Sequence, residues 1–424
     1  MHEDVIDLED LDVWVGPRSV IDEGFAKIRA SGERPFIREI SPEGNRFGGY
    51  YALSSYDDVI DVSKRPADFS SARGVNIVDM PADLVQHFGS IIAMDNPRHT
   101  YIRRIVAQRF APKALNELKA DVERIAAEIV AGIAEKGECD FVTEVAALVP
   151  LRIIIDMLGI PRSQEQFIFD VTNRMLGTTD PEYVPDQSRE GLRRNLESIG
   201  MELVQLVQEL AEDRIKNPQD DLITRLVMEN ADGEKLSPQE LGAFFNLLVG
   251  AGNETTRNAI THGFLALSND SEQRATWQGD FEAHAMTAVE EIVRYASPVL
   301  YGRRTVTADG VRIGDQEFHE GDKVVMWYYS ANRDESVFDR PFDFDIARDP
   351  NPHVAFGGPG PHFCLGAHLA RREITAVFRE LFRQVPDIRA AGEPEYLRAN
   401  FIHGIKHLRC EYTPTRGAVG ASAN

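Results

Sequence analysis

Phe356-Gly357-Gly358-Pro359-Gly360-Pro361-His362-Phe363-Cys364-Leu365-Gly366 sets one cysteine at the end of a loop built almost wholly from Gly and Pro. Directly behind it, Ala367-His368-Leu369-Ala370-Arg371-Arg372-Glu373 has the composition of a helix. The loop cannot be regular structure, because Gly supplies unusual backbone angles while Pro removes a donor and fixes φ. A Cys at the mouth of the following helix has its thiolate stabilised by free N–H groups and by the positive end of the dipole. Such a thiolate is either a nucleophile or a metal ligand, and the surrounding residues must decide which.

Composition narrows the field. The chain has 424 residues, 43% of them hydrophobic and 27% charged, the profile of a soluble globular protein. A net charge of -22 argues against nucleic-acid binding, which calls for a basic footprint. The three cysteines, Cys139, Cys364 and Cys410, have no paired spacing. That excludes a disulfide framework and a CxxC-type zinc site, and suggests a reducing compartment. The acidic start, Met1 to Asp10, does not read as a signal peptide, and no stretch has the apolar length of a membrane span. A cytoplasmic protein is expected.

No Gly/Ser linker divides the chain, so a single domain over 1–424 is expected, with poorly ordered tails at about 1–12 and 413–424. Strand signals fall at Phe47–Leu53, Val311–Ile313 and Lys323–Tyr329, with turns at Gly314-Asp315 and Glu320-Gly321. The remainder is mostly helical, giving a mainly α fold with small β-sheets. Leu115, Leu118, Val122, Ile125, Ile129 and Ile133 step by three and four, forming one apolar face for the core.

The longest helix signal starts at Ser237-Pro238-Gln239-Glu240, a capping box with Pro at the first helical position, and runs to about Ser268. In its middle, Leu247-Leu248-Val249-Gly250-Ala251-Gly252-Asn253-Glu254-Thr255-Thr256-Arg257-Asn258 passes from apolar to polar. Two interior glycines cost about 1 kcal/mol each relative to Ala, so something must come close to the backbone there. Thr255 can bond back to the carbonyl of Ala251 and open the helix. Glu254 beside a Thr hydroxyl makes an acid–alcohol pair, a route for protons. The competing reading is an amphipathic helix with a Gly-mediated crossing.

Taken together, these segments resemble the cytochrome P-450 (heme-thiolate monooxygenase) family over nearly the whole chain. Four motifs match in the family's order: Ala251–Thr256 of the long distal helix, Glu291-Ile292-Val293-Arg294 as the ExxR, Asn351-Pro352-His353, and the Cys364 loop. In one departure, Phe356 lies eight residues before the Cys, one more than the family's usual seven. The resemblance implies heme b (iron protoporphyrin IX) held between the long helix and the Cys loop, with Cys364 as axial ligand. A thiolate ligand pushes electron density through iron and favours O–O cleavage. It further implies that Gly360 and Gly366 let the loop approach the sulfur and donate to it, and that Phe356 packs at the heme. His99, Arg103, Arg304 and His362 would hold the propionates. Glu254 and Thr255 would handle protons, and Glu291, Arg294 and Arg348 would form a structural ion-pair group. Cys139, in a charged loop, and Cys410, in a C-terminal strand, read as ordinary cysteines.

The same resemblance implies an apolar substrate over a pocket lined by Val78 (in the loop Asn76–Leu84), Leu247, Ala251, Val299 and Phe401. It points to omega-hydroxylation of a methyl-branched lipid, isoprenoid or fatty acid, with sterol side chains or terpenoids as the alternative. A primary C–H bond is stronger than a tertiary one, so terminal attack requires a pocket that shields the weaker position. The co-substrate would be O2. Electrons would come from ferredoxin and ferredoxin reductase, since no flavin or nicotinamide fingerprint is present. Arg371, Arg372, Arg104 and Arg109 near the heme edge would receive an acidic donor, or else are solvated helix arginines. A peroxide-driven peroxygenase, a non-catalytic heme sensor or carrier, and a cysteine hydrolase are the rival readings.

Overall fold

The computed structural model describes residues 6–40, 46–79, 84, 87–107, 110–228 and 236–415. Its axis is the helix Pro238–Asn269. The expected capping box forms: Ser237 Oγ accepts from the Glu240 amide at 3.3 Å, and Glu240 Oε2 accepts from the Ser237 amide at 2.9 Å. At 32 residues the helix is about 48 Å long. It is buried on nearly all sides, by helices Leu148–Leu158, Glu165–Leu176, Arg189–Lys216, Phe281–Ala296 and Ala367–Gln384. The apolar stripe from Leu115 to Ile133 divides at Leu118 into helices Pro112–Glu117 and Lys119–Ile133. The longer one lays Val122, Ile125 and Ile129 against the helix that follows Cys364, in one core with Val377, Phe378 and Leu381.

A five-stranded sheet flanks the helices, in the order Phe36–Ile40, Arg46–Leu53, Lys323–Met326, Gly302–Val306, Phe69–Ser70. The second and third strands run parallel, and the other pairs antiparallel. The strand expected to reach Tyr329 stops at Met326. Trp327 leaves the sheet and Tyr328–Ala331 forms a helical turn. The apolar run continues because Trp327 and Tyr329 are buried beside Trp14 and Phe25, not because the chain remains extended.

Two further expectations are corrected. Residues 6–12 are not a loose tail: Leu8 is fully buried, Trp14 Nε1 donates to its carbonyl at 3.2 Å, and Asp10 caps the helix Leu11–Trp14. Acidic residues flank an apolar anchor, and the net charge of the segment hid it. Residues 1–5 and 416–424 lie outside the described residues, while Thr413 and Thr415 bond to Asp387 and Gln384. Cys139 lies in a strand, Glu138–Asp140, rather than a loop. It pairs in register with Cys410, with the two sulfurs 3.3 Å apart.

The ExxR residues are fully buried. Arg294 grips Glu291 through two bonds of 2.7 Å, and its remaining donors reach the carbonyls of Asn332, Pro341 and Asp343. Arg348 Nε and Asn351 Nδ2 donate to Glu291 Oε2, both at 3.1 Å, and the Asp345 amide donates to Oε1. One acid thus organises the long segment between the sheet and the Cys loop. Such a pair is tolerable in the interior only when its hydrogen bonds are satisfied in this way.

Candidate active site

The Cys loop closes on itself: the Cys364 amide donates to the Phe356 carbonyl at 2.9 Å. Gly357, Gly358 and Gly360 hold φ of 92°, 67° and 150°, angles that side chains oppose. A Cβ on Gly360 would also lie 2.2 Å from the Ser63 carbonyl oxygen. Gly360 is therefore required by its contact with a neighbouring helix, not as a donor to sulfur. The amides that reach the sulfur are those of Gly366 and Ala367. Burial pushes the Cys364 thiol up, while these amides and the Arg103 and Arg371 guanidiniums pull it back. The accessible surface of Cys364 faces an internal cavity. Phe356 lines that cavity too, with Arg371 stacked 4.5 Å from its ring centre.

Four basic side chains converge beside the sulfur. His99 and Arg103 stand one turn apart on helix Arg98–Ala107, Arg304 comes from the strand Gly302–Val306, and His362 from the loop. The rings of His99 and His362 are 4.3 Å apart. His362 Nε2 is 3.1 Å from Ser71 Oγ, Arg103 donates to the Phe363 carbonyl, and Arg304 donates to the Arg303 carbonyl. Neither ring nitrogen of buried His99 has a hydrogen-bond partner among the described residues. All four groups are pushed toward their neutral forms, first by burial; His362 falls to about 3, with Arg304 and His99 adding to the effect. Asp95 favours the charged forms of His99 and Arg304, but its carboxylate already accepts from Ser70 and from the Ser71 amide. Cations crowded together without sufficient counter-charge make a site for an anionic group.

The long helix crosses the opposite side of the cavity. Thr255 Oγ1 donates to the Ala251 carbonyl at 2.8 Å, so its lone pairs face the cavity. The glycines serve helix crossings: a Cβ on Gly252 would lie 3.2 Å from Ile154 Cδ1, and one on Gly250 2.9 Å from Met175 Sδ. Glu254, expected beside the Thr255 hydroxyl as a proton route, is turned away from the cavity. It is buried in an ion pair with Arg257, and Asn258 Nδ2 donates to it at 3.0 Å. Consecutive helical residues point about 100° apart, so the pair cannot share a face. Arg257 in turn lines a smaller cavity of about 370 Å³, with Asn173, Tyr183 and His407.

The main cavity measures about 1810 Å³. Sites for one small ligand run to about 300–1,000 Å³, so this one has room for a macrocycle and a long substrate together. Val78, Leu247, Ala251, Val299 and Phe401 all line it. Ile91, Ile92, Met175, Leu192 and Leu196 line it as well. Sequence reading missed these, because an apolar residue on a helix gives no sign whether it faces core or cavity. It also missed Glu373, which lines the wall from helix Ala367–Gln384, bonds to Thr256, and is pushed up to about 8 by burial. Of the arginines expected at the outer face, Arg371 is bound to Glu290, Arg372 donates to the Leu115 carbonyl and to Asn116, and Arg104 has a partner. Arg109 lies outside the described residues.

A cysteine sulfur, an anion cradle and a cavity of this size fit an iron porphyrin with two carboxylate arms, and comparison with known proteins agrees. Residues 285–384 match the family model for cytochrome P450. The chain is 47% identical over 408 residues to the methyl-branched lipid omega-hydroxylase of Mycobacterium tuberculosis (strain ATCC 25618 / H37Rv), covering 95% of this chain and 94% of that protein. It is 40% identical to the steroid C26-monooxygenase of Rhodococcus jostii (strain RHA1), over 87% of this chain and 77% of that one. Among solved structures, a Mycobacterium marinum cytochrome P450 in complex with pseudoionone superposes with a TM-score of 0.89 at 39% identity, covering 96% and 98% of the two chains. No described helix is long and apolar enough to cross a membrane. The chain belongs to the cytochrome P450 family, monooxygenases whose prosthetic group is heme b.

Proposed function

We propose that this monooxygenase hydroxylates the terminal carbon of a methyl-branched lipid, isoprenoid or fatty acid. The observation that carries the reading is the shape of one cavity: a deep apolar chamber that begins at Cys364 and Thr255 and continues to solvent-exposed side chains. A long chain threaded into it would present its end beside Thr255, across from Cys364 and over the space left for the porphyrin. The 47% identity to a protein named for that reaction supports the choice.

Cys364 Sγ would ligate the iron, and His99, Arg103, Arg304 and His362 would hold the propionates. Bound heme supplies dioxygen activation and the insertion of one oxygen atom into a C–H bond. Ala251, Leu247 and Val299 confine the chain end and keep weaker tertiary C–H bonds away from the reacting position. Thr255 Oγ1, its own proton committed to the Ala251 carbonyl, accepts a hydrogen bond from a water and positions it for proton delivery. Glu254 contributes protons only when its pair with Arg257 opens toward the smaller cavity. Electrons come from a ferredoxin and its reductase, and the sparse unpaired thiols suit the cytoplasm.

The test is product analysis. Holoenzyme with ferredoxin, ferredoxin reductase and NADPH is given a methyl-branched fatty acid and the products are resolved by mass spectrometry. A primary alcohol at the chain terminus is expected. Exclusive tertiary hydroxylation, or reductant consumption without oxidised lipid, would overturn the reading. The steroid C26-monooxygenase relative favours a sterol side chain as the second reading, since that too ends in a branched terminus. Competition between the two substrate classes separates them.

A further inference from the structure

The rim of the cavity carries a cation that no described residue neutralises. Arg189, Leu192, Arg193 and Leu196 all line the cavity. Their spacing of three and four places them on one face of helix Arg189–Lys216, so this face forms part of the cavity wall. Ser188 caps the helix by accepting from the Gly191 amide, which fixes Arg189 as its first residue. Two leucines face inward, and the exposed Arg189 stands at the solvent edge.

The other cavity arginines are engaged. Arg193 pairs with Glu190 and Glu197 and Arg398 with Asp12, while Arg103 and Arg304, bonded to the Phe363 and Arg303 carbonyls, belong to the anion cradle near Cys364. Arg189 has no hydrogen-bond or ion-pair partner among the described residues. Three acids that line the cavity are also occupied. Glu9 accepts from Tyr50, Asp10 caps its helix, and Asp79 pairs with Arg303 and Lys323. An anion entering the rim therefore meets one unspent guanidinium and no free carboxylate of this set.

We infer that Arg189 holds the carboxylate of the substrate at the cavity mouth, making the free fatty acid, rather than its alcohol or ester, the preferred lipid. This rests on the terminal-hydroxylase reading above and deepens it. The guanidinium offers a planar pair of donors that matches a carboxylate, whereas an alcohol or ester gains no ion pair there. Anchoring the head also fixes how far the tail reaches toward Thr255.

The experiment follows the heme spin-state shift of the holoenzyme during titration with isopalmitic acid, its primary alcohol and its methyl ester. Wild type should bind the acid most tightly at low ionic strength, with the preference shrinking as salt rises. Arg189→Gln should weaken the acid roughly 3- to 10-fold, leaving alcohol and ester unchanged, the range for an exposed charge-assisted contact. Arg189→Glu should weaken the acid further. If Arg189→Gln changes all three ligands equally, or none, the carboxylate role is wrong while the terminal-hydroxylase reading stands. If none of the three shifts the wild-type spectrum, the lipid reading fails and this inference fails with it. Arg189 makes no contact that folding would miss, so an unfolded variant is not expected.

Discussion

In the proposed reading the distal proton chemistry falls to Thr255, because its hydroxyl is the protic group of the Glu254–Thr255 pair that faces the cavity. Replacing it with Ala would remove the hydroxyl proposed to position a water there. The expected outcome for Thr255→Ala is uncoupling: reductant is consumed, peroxide is released, and product per electron drops about a hundredfold, the low end of what positioned proton transfer contributes. Stoichiometry of oxygen, peroxide and product checks this, and unchanged coupling would remove Thr255 from the proton route. Residues held by a fixed local pattern were legible in the sequence. Cys364 follows a Gly/Pro loop, Thr255 bonds back four residues, and His99 and Arg103 sit one turn apart. The direction of Glu254 was not legible, because it depends on Arg257 and Asn258 completing a buried network one turn further along. The role of Gly360 was misread for a similar reason: the backbone it must avoid, at Ser63, lies far away in the sequence.

At the scale of elements, two buried acids do opposite things. Glu291 is ion-paired and fully satisfied, receiving Arg294, Arg348, Asn351 and the Asp345 amide. Glu291→Ala strands two buried guanidiniums, at a cost of about 3–5 kcal/mol. The expected result is insoluble or heme-free protein, measured by the ratio of heme to protein absorbance after purification; a soluble, fully loaded variant would refute it. Glu373, between the long helix and the Cys-bearing helix, has Thr256 as its hydrogen-bonding partner, and burial raises it from 4.5 to about 8. The folded state holds this proton more tightly than the unfolded chain does. The contribution is complete below about pH 4.5 and is lost as pH rises toward 8. A tenfold difference in proton affinity is worth about 1.4 kcal/mol, so the loss is on the order of a few kcal/mol. Glu373→Gln, which cannot ionise, should flatten the fall in thermal midpoint between mildly acidic and mildly basic buffer. A variant with the wild-type slope would show that Glu373 does not titrate in this window. The capping box of the long helix was readable because its partners are three residues apart. The stop at Met326 was not, since a buried aromatic run looks the same in a strand and in a turn.

Over the whole molecule, the sequence showed a mainly helical protein built round one long helix, because capping, periodicity and motif spacing all agree there. It could not show which apolar faces enclose space rather than fill it, and so the substrate wall was only partly foreseen. Net charge has a consequence at this scale for electron delivery. The chain carries -22 overall, so the proposed donor, an acidic ferredoxin, would be repelled by the molecule as a whole and would have to be drawn in by a local patch. Arg372 is the best-placed source of that attraction among the arginines of the Cys-bearing helix. It donates to the Leu115 carbonyl and to Asn116, both uncharged, so its positive charge remains uncompensated by these contacts. Arg371 differs, being paired with Glu290 and stacked on Phe356. Arg372→Glu should therefore slow reduction by ferredoxin at low ionic strength about tenfold, within the range over which electrostatic steering changes association rates. The difference from wild type should narrow as salt is raised and the Debye length shortens. Reduction by dithionite should be unaffected, since that reagent needs no docked protein. Stopped-flow traces with both reductants across a salt series decide the matter. Equal slowing with both would mean that the substitution has disturbed the helix behind Cys364, and equal rates with ferredoxin would place the docking patch elsewhere.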